Sequence, residues 1–178
     1  MELQTKRLLL RPFTEDDAAD LYDYARDPRV GPRAGWPVHE SAEKSLEIIR
    51  KCFDAQYDFA IVEKASGKVI GSGGLVDRHR DWLPGKDDEI GYVLHPAYWG
   101  QGLVPEAMGA VLRLAFEELD LDHVWCGYFD GNEQSRRVQE KLGFQPWGEP
   151  QWVDVPLMGE RRLEHFSLLR RSEWESRR

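Results

Sequence analysis

Trp99-Gly100-Gln101-Gly102-Leu103-Val104-Pro105-Glu106-Ala107 joins an apolar run to a helix through two glycines, and this junction decides the reading of the chain. Upstream, Glu89-Ile90-Gly91-Tyr92-Val93-Leu94 is rich in β-forming residues and reads as a strand whose exit is marked by His95-Pro96. Downstream, Val104, Ala107, Val111 and Ala115 recur at helical spacing. Gly100 and Gly102 let backbone approach a ligand closely, and the first N–H groups of the helix have no intrahelical acceptor. An anion there meets free donors and the positive end of the helix dipole. Pro105 suits the first turn because it lacks an N–H that would otherwise need a partner, and Glu106 also favours a helix start. Taken alone, such a turn serves a phosphate or a tight connection equally well. Two phosphate motifs are excluded, since there is neither a G-x-x-x-x-G-K-[ST] nor a G-x-G-x-x-G with its downstream acid.

The spacing resembles motif A of the GNAT superfamily of acyl-CoA N-acyltransferases, whose Q/R-x-x-G-x-G/A would fall on Trp99 to Val104. Trp99 stands where Gln or Arg is usual and Val104 where Gly or Ala is usual. The run Pro96-Ala97-Tyr98-Trp99-Gly100-Gln101-Gly102 is similar to the variant of the RimJ/RimL branch, which acetylates protein N-terminal amines and some small amines. Two further stretches extend the resemblance from about residue 5 to about residue 170. Asn132-Glu133-Gln134-Ser135 with Glu140-Lys141-Leu142-Gly143-Phe144 looks like the family's second cofactor motif. Thr5-Lys6-Arg7-Leu8-Leu9-Leu10-Arg11-Pro12-Phe13 before an acidic helix opening is similar to the branch's first strand and helix.

The 178 residues suit one domain, 1–178, with a core that needs no staples. An apolar content of 41% argues against disorder, and no uninterrupted apolar run is long enough for a membrane span. Cys52 and Cys126 give no disulfide framework and read as buried small hydrophobes, and no signal peptide is visible at the start, so a cytoplasmic protein is expected. The formal charge of −8 disfavours nucleic acid. It suits a cationic acceptor, and it is equally an ordinary route to solubility.

Along the chain, a strand over Arg7 to Phe13 precedes a helix capped by Thr14 and ending before Asp27-Pro28. Gly31 to His39 reads as a loop, and Ser41 to Phe53 as a one-faced helix. Tyr57 to Lys64 and Lys68 to Asp77 read as a hairpin turning at Gly67. Arg78 to Asp88 is a charged connection carrying Pro84-Gly85. His123 to Asp130 is a strand, Glu133 to Leu142 a helix stopped by Gly143, and Phe144 to Val155 with Arg161 to Leu169 complete the sheet. The order predicts a mixed α/β fold. The resemblance implies a mostly antiparallel central sheet with helices on both faces, in which the strands carrying Glu89 and His123 splay apart to receive the cofactor.

What the resemblance implies for chemistry is acetyl transfer from acetyl-CoA directly to a primary amine. The donor would lie against Trp99, Gly100, Gln101, Gly102, Leu103 and Val104, with main-chain groups around Tyr92, Val93 and Leu94 contacting it and stabilising the oxyanion. Amines are mostly protonated near neutral pH, so a base is required, and Glu89, beginning the strand beside the cleft, is the first candidate; Asp87 and Asp88 serve as well or form a charged loop. A tyrosine of the last helix protonates the leaving thiolate in many relatives. Gln139 stands in its place, and Asn132 and Ser135 match the branch's asparagine and thiolate-protonating serine. Ser135 is otherwise a polar residue of a first helical turn, and Asn132 a cap, a pantetheine contact or both. Arg136, Arg137 and Lys141 meet the outer phosphate or form a solvated face; Arg137 is carried as the cofactor contact. Trp36 either packs on an acceptor or seals the core, and His39 touches the acceptor or enters a helix. No residue cluster has metal spacing. A homodimer is admitted. The rival expectation is a silent acyl-CoA-binding regulatory module, on the departures at Trp99, Val104 and Gln139.

Overall fold

A computed structural model describes residues 1–53, 56–81 and 83–178. Among the described residues nine strands form one sheet: β1 (Leu3–Gln4), β2 (Leu8–Arg11), β3 (Asp58–Glu63), β4 (Val69–Leu75), β5 (Asp87–Leu94), β6 (His123–Phe129), β7 (Gln145–Pro146), β8 (Gln151–Val155) and β9 (Glu160–Arg170). The order is β1-β2-β3-β4-β5-β6-β9-β7, with β8 also on β9. Every pairing is antiparallel except β5 with β6.

Alternation along the strands builds a core on each face. Phe59 and Ile61 of β3, with Leu8, Leu10, Ile70, Ile90 and Leu94, pack against α4 (Leu103–Arg113) through Ala107, Met108 and Val111. Ala60, Val62 and Val69 turn the other way, onto Leu21 and Tyr24 of α1 (Ala18–Ala25) and Ile49 of α3 (Ala42–Cys52). Ser41 caps α3 by accepting the Lys44 N–H at 3.0 Å. Asn132 caps α5 (Glu133–Leu142) at the Ser135 N–H, and Gly143, at φ 97°, ends it.

The expected mixed α/β sheet with helices on both faces is thus present, with local differences. Leu3–Gln4 pairs with Leu9 and Leu10, a strand too short to carry any periodicity. Gly31–Ala34 forms one helical turn, α2, started by Pro32, where a loop was expected. The segment read as one strand from Phe144 to Val155 is two, β7 and β8. Pro146 and Pro150 have no N–H for a ladder, and Gly148 between them has φ 66°. Arg171–Glu175 adds a short α6. Cys52, expected inside, is exposed at the end of α3, while Cys126 is buried.

Candidate active site

β5 and β6 pair only through Asp87↔His123, Asp88↔Val124 and Glu89↔Trp125, although β5 runs on to Leu94 and β6 to Phe129. Beyond Glu89 the strands part, as the resemblance implied. Val76 N–H donates to Glu89 O at 2.9 Å and His95 N–H to Ile70 O at 2.7 Å, so the odd-numbered residues of β5 turn their main chain to β4. By alternation the main chain of Ile90, Tyr92 and Leu94 turns toward β6, and past the last bridge, Glu89↔Trp125, the peptide groups of Tyr92 face the gap. Of the three residues expected to contact the donor by their main chain, Val93 therefore spends its peptide on β4.

The glycine turn sits at the mouth of this gap. Gly100 and Gly102 have φ 75° and 74°, left-handed values that a side chain would oppose. Among the described residues, no acceptor in the chain takes the N–H groups of Gly100, Gln101, Gly102, Leu103 or Val104. Trp99 is a brace: its Nε1 donates to Leu94 O at 2.8 Å, and the Arg29 guanidinium lies 5.6 Å from its ring. Glu106 ties the turn to the start of β2, accepting from Thr5 Oγ1 at 2.5 Å and from Arg7 N and Nε at 2.8 and 2.7 Å. Arg7 Nη1 then donates to Gln101 O at 3.0 Å. Burial alone would raise the Glu106 carboxyl, but the donors from Thr5 and Arg7 outweigh it and hold the group below its ordinary range. On α5, Arg136 is taken up by Glu133 and Glu140, whereas Arg137 is exposed and, among the described residues, makes no ion pair.

Ser135 faces the gap from the α5 side. Its Oγ lies 2.9 Å from Tyr92 Oη and accepts from Gln139 Nε2 at 3.3 Å. The same Nε2 donates to Gly127 O at 3.1 Å, and Ser167 Oγ bonds Gln139 Oε1. Burial holds the Tyr92 phenol well above its usual pKa. Tyr92 was expected to act through its main chain; its side chain also joins β5 to α5 across the gap.

Glu89, three residues earlier on β5, points to the opposite face of the sheet. The expected loop also ends early: β5 begins at Asp87, and Asp87, Asp88 and Glu89 are 6–8% exposed. The connection folds back to satisfy them. Asp87 Oδ2 accepts Arg80 N at 2.8 Å, Asp88 Oδ1 accepts Arg78 N at 2.9 Å, and Glu89 Oε2 binds Arg80 Nη2 at 2.7 Å. Beside Glu89 lies a residue that sequence reasoning missed, Glu164 of β9. Gly127 makes room for it, because a Cβ there would come within 2.4 Å of Glu164 Oε1. Burial raises both carboxyls; each is opposed by Arg80 and Arg78, and Glu89 adds to the rise at Glu164. Among the described residues Glu164 has no hydrogen-bonded cation. A glycine inside an otherwise apolar strand was the available signal. On this face a cavity of about 400 Å³ is lined by Arg80, Trp147, Gly148, Gln151 and Phe166.

The acceptor residues expected near residue 36 divide. Trp36 is half-buried on Gly31, 5.3 Å from the His39 ring. His39 is 8% exposed, with Nδ1 2.8 Å from Ser45 Oγ, and burial, then Lys44, lowers its pKa. A neutral ring committed to α3 is a packing residue, so His39 leaves the candidate site. Among the described residues no group of three or more acidic, His or Cys side chains has metal-holding geometry.

Residues 7–145 match the acetyltransferase (GNAT) domain model. The chain belongs to the GNAT acetyltransferase family. It is 30% identical over 155 residues to the uncharacterized N-acetyltransferase YoaA of Bacillus subtilis, covering 82% of this chain and 84% of that protein. A GNAT-family acetyltransferase from Bacillus anthracis superposes with a TM-score of 0.82 at 24% identity over 97% of this chain and 100% of that one. The ribosomal-protein-S5-alanine acetyltransferase of Vibrio fischeri gives 0.75 at 20% over 98% of each. This GNAT protein is an acetyltransferase acting on an amine. No helix among its described residues is long and apolar enough to cross a membrane.

Proposed function

We propose that residues 1–178 work as one domain that moves an acetyl group from acetyl-CoA directly to a primary amine, a protein N-terminus or a small-molecule amine. The observation that carries this is the gap opening just past Glu89, with the glycine turn and Ser135 on one side and a buried carboxylate pair on the other. Acetyl-CoA fits the donor side: the free N–H groups from Gly100 to Val104 would receive its pyrophosphate, and exposed Arg137 would meet its outer phosphate and Asn132 its pantetheine arm. The likeness to the Vibrio fischeri enzyme, a ribosomal-protein-S5-alanine acetyltransferase, favours a protein N-terminus.

In the reaction the amine nitrogen bonds to the thioester carbon and the carbon–sulfur bond breaks. The proton on nitrogen passes to a carboxylate, and the thiolate departs against Ser135. Arg80 occupies Glu89, so Glu164 is the member of the pair with lone pairs to spare, and Glu89 sets its charge environment. The Tyr92 N–H, turned into the gap, is a donor for the oxyanion.

Glu164→Gln and Ser135→Ala should each lower kcat more than about ten-fold while leaving acetyl-CoA affinity within two-fold, as lost transition-state contacts do. Glu89→Gln should lower kcat less than Glu164→Gln. Steady-state assays with any accepted amine check this, and unchanged kcat in Glu164→Gln and Ser135→Ala contradicts the roles. Tight acetyl-CoA binding with no transfer to any amine would instead make the chain a binding module.

A further inference from the structure

We infer that Tyr92 and Gln139 are positioning residues that fix the hydroxyl hydrogen of Ser135 toward the departing sulfur. The inference rests on the reading of Ser135 as the leaving-group contact and adds how that contact is held. Gly127 O is an acceptor only, so the Gln139 atom beside it, at 3.1 Å, is the NH2 group, and the side-chain amide has one orientation. Its Oε1 is taken by Ser167 Oγ. The second Nε2 hydrogen therefore points at Ser135 Oγ, 3.3 Å away, and fills one lone pair.

Tyr92 Oη is the second polar neighbour of this hydroxyl. Its phenol lies 3.3 Å from Ser135 O, an acceptor that cannot donate, and 2.9 Å from Ser135 Oγ. Either hydroxyl can donate across the 2.9 Å contact, and in the arrangement that serves the departing sulfur the phenolic hydrogen goes to Ser135 Oγ. The neighbouring Cys126 thiol has its own acceptor in Gly127 O at 3.8 Å. In that arrangement Ser135 Oγ accepts from Gln139 and Tyr92, and its own hydrogen is left for the gap between β5 and β6. A serine carrying two donated hydrogen bonds is also a stronger donor through its third, since chained hydrogen bonds polarise one another.

The thiolate of bound CoA reports on this donor without any knowledge of the acceptor. Its ultraviolet absorbance, titrated on the CoA complex, gives the pKa of the bound thiol, which a donor to sulfur depresses. Ser135→Ala should raise that pKa by about one, within the span of ordinary environmental effects. Tyr92→Phe should raise it by about half as much, and should add nothing in the Ser135→Ala background. CoA affinity should stay within two-fold. A Tyr92→Phe complex that titrates like the wild type, beside a raised Ser135→Ala complex, overturns the positioning role and leaves Ser135 intact. A Tyr92→Phe rise that persists without Ser135 overturns it too. A Ser135→Ala complex that titrates like the wild type overturns the Ser135 reading itself. Should Tyr92→Phe fail to bind CoA, Gln139→Met carries the same three outcomes.

Discussion

At the residue scale the site is made by a missing side chain as much as by present ones. Gly127 leaves the space that Glu164 Oε1 enters, so Gly127→Ala should push the carboxylate away from Glu89 and lower kcat by about ten-fold or more in a protein that still folds. Circular dichroism and steady-state kinetics together check this, and unchanged kcat would remove Glu164 from the mechanism. Because burial and Glu89 raise the Glu164 carboxyl, the proposed base ionises only above the ordinary glutamate value of about 4.3. Activity should therefore rise with pH through a limb above that value, and Glu164→Gln should abolish the limb. A limb that survives the substitution belongs to another group.

At the element scale, the glycine turn holds its shape through partners that lie far away in sequence. Trp99 pins the exit of β5 and Glu106 pins the start of β2, so the free N–H groups stand in a preset array. Trp99→Phe keeps a ring under Arg29 but loses the bond to Leu94 O. It should cost about 1 kcal/mol of stability and raise the KM for acetyl-CoA several-fold, as denaturant titration and kinetics would read. An unchanged KM would show that the turn needs no brace. The turn, α4 and α5 were legible because glycine spacing, helical periodicity and caps are local signals. The placement of Asp87 and Asp88 inside the sheet beside Glu89 was not, because two acids at the end of a charged connection read as a loop until Arg78 and Arg80 fold back over them. Glu164 and the Tyr92 side chain escaped for the same reason: they become site residues only through the pairing of β6 with β9 and the approach of α5.

At the scale of the whole molecule, the sheet serves as a partition with one opening. The donor turn and Ser135 lie toward α4 and α5, the carboxylates toward the α1 and α3 face, and the β5–β6 gap joins them. That partition is stable despite buried acids elsewhere, such as Asp58 at the start of β3, whose carboxyl burial pushes up to about 6 against the Phe59 N–H. The folded pKa exceeds the unfolded value of about 3.9, so this group disfavours folding progressively as pH rises from about 4 to about 6. Asp58→Asn should exceed the wild type in stability by about 2–3 kcal/mol at pH 7, with the difference closing toward pH 4, as urea unfolding at the two pH values would show. A difference independent of pH would mean that Asp58 is not strained by its charge. The central claim is direct transfer across the gap, and mass spectrometry of acetyl-CoA reactions with a panel of N-terminal peptides and small amines tests it. Direct transfer should yield an acetylated amine and one released thiol per turnover, with no acetylated form of the enzyme and with strong loss in Glu164→Gln. An acetyl group that accumulates on the protein itself, or no acetylated amine anywhere in the panel, would contradict it.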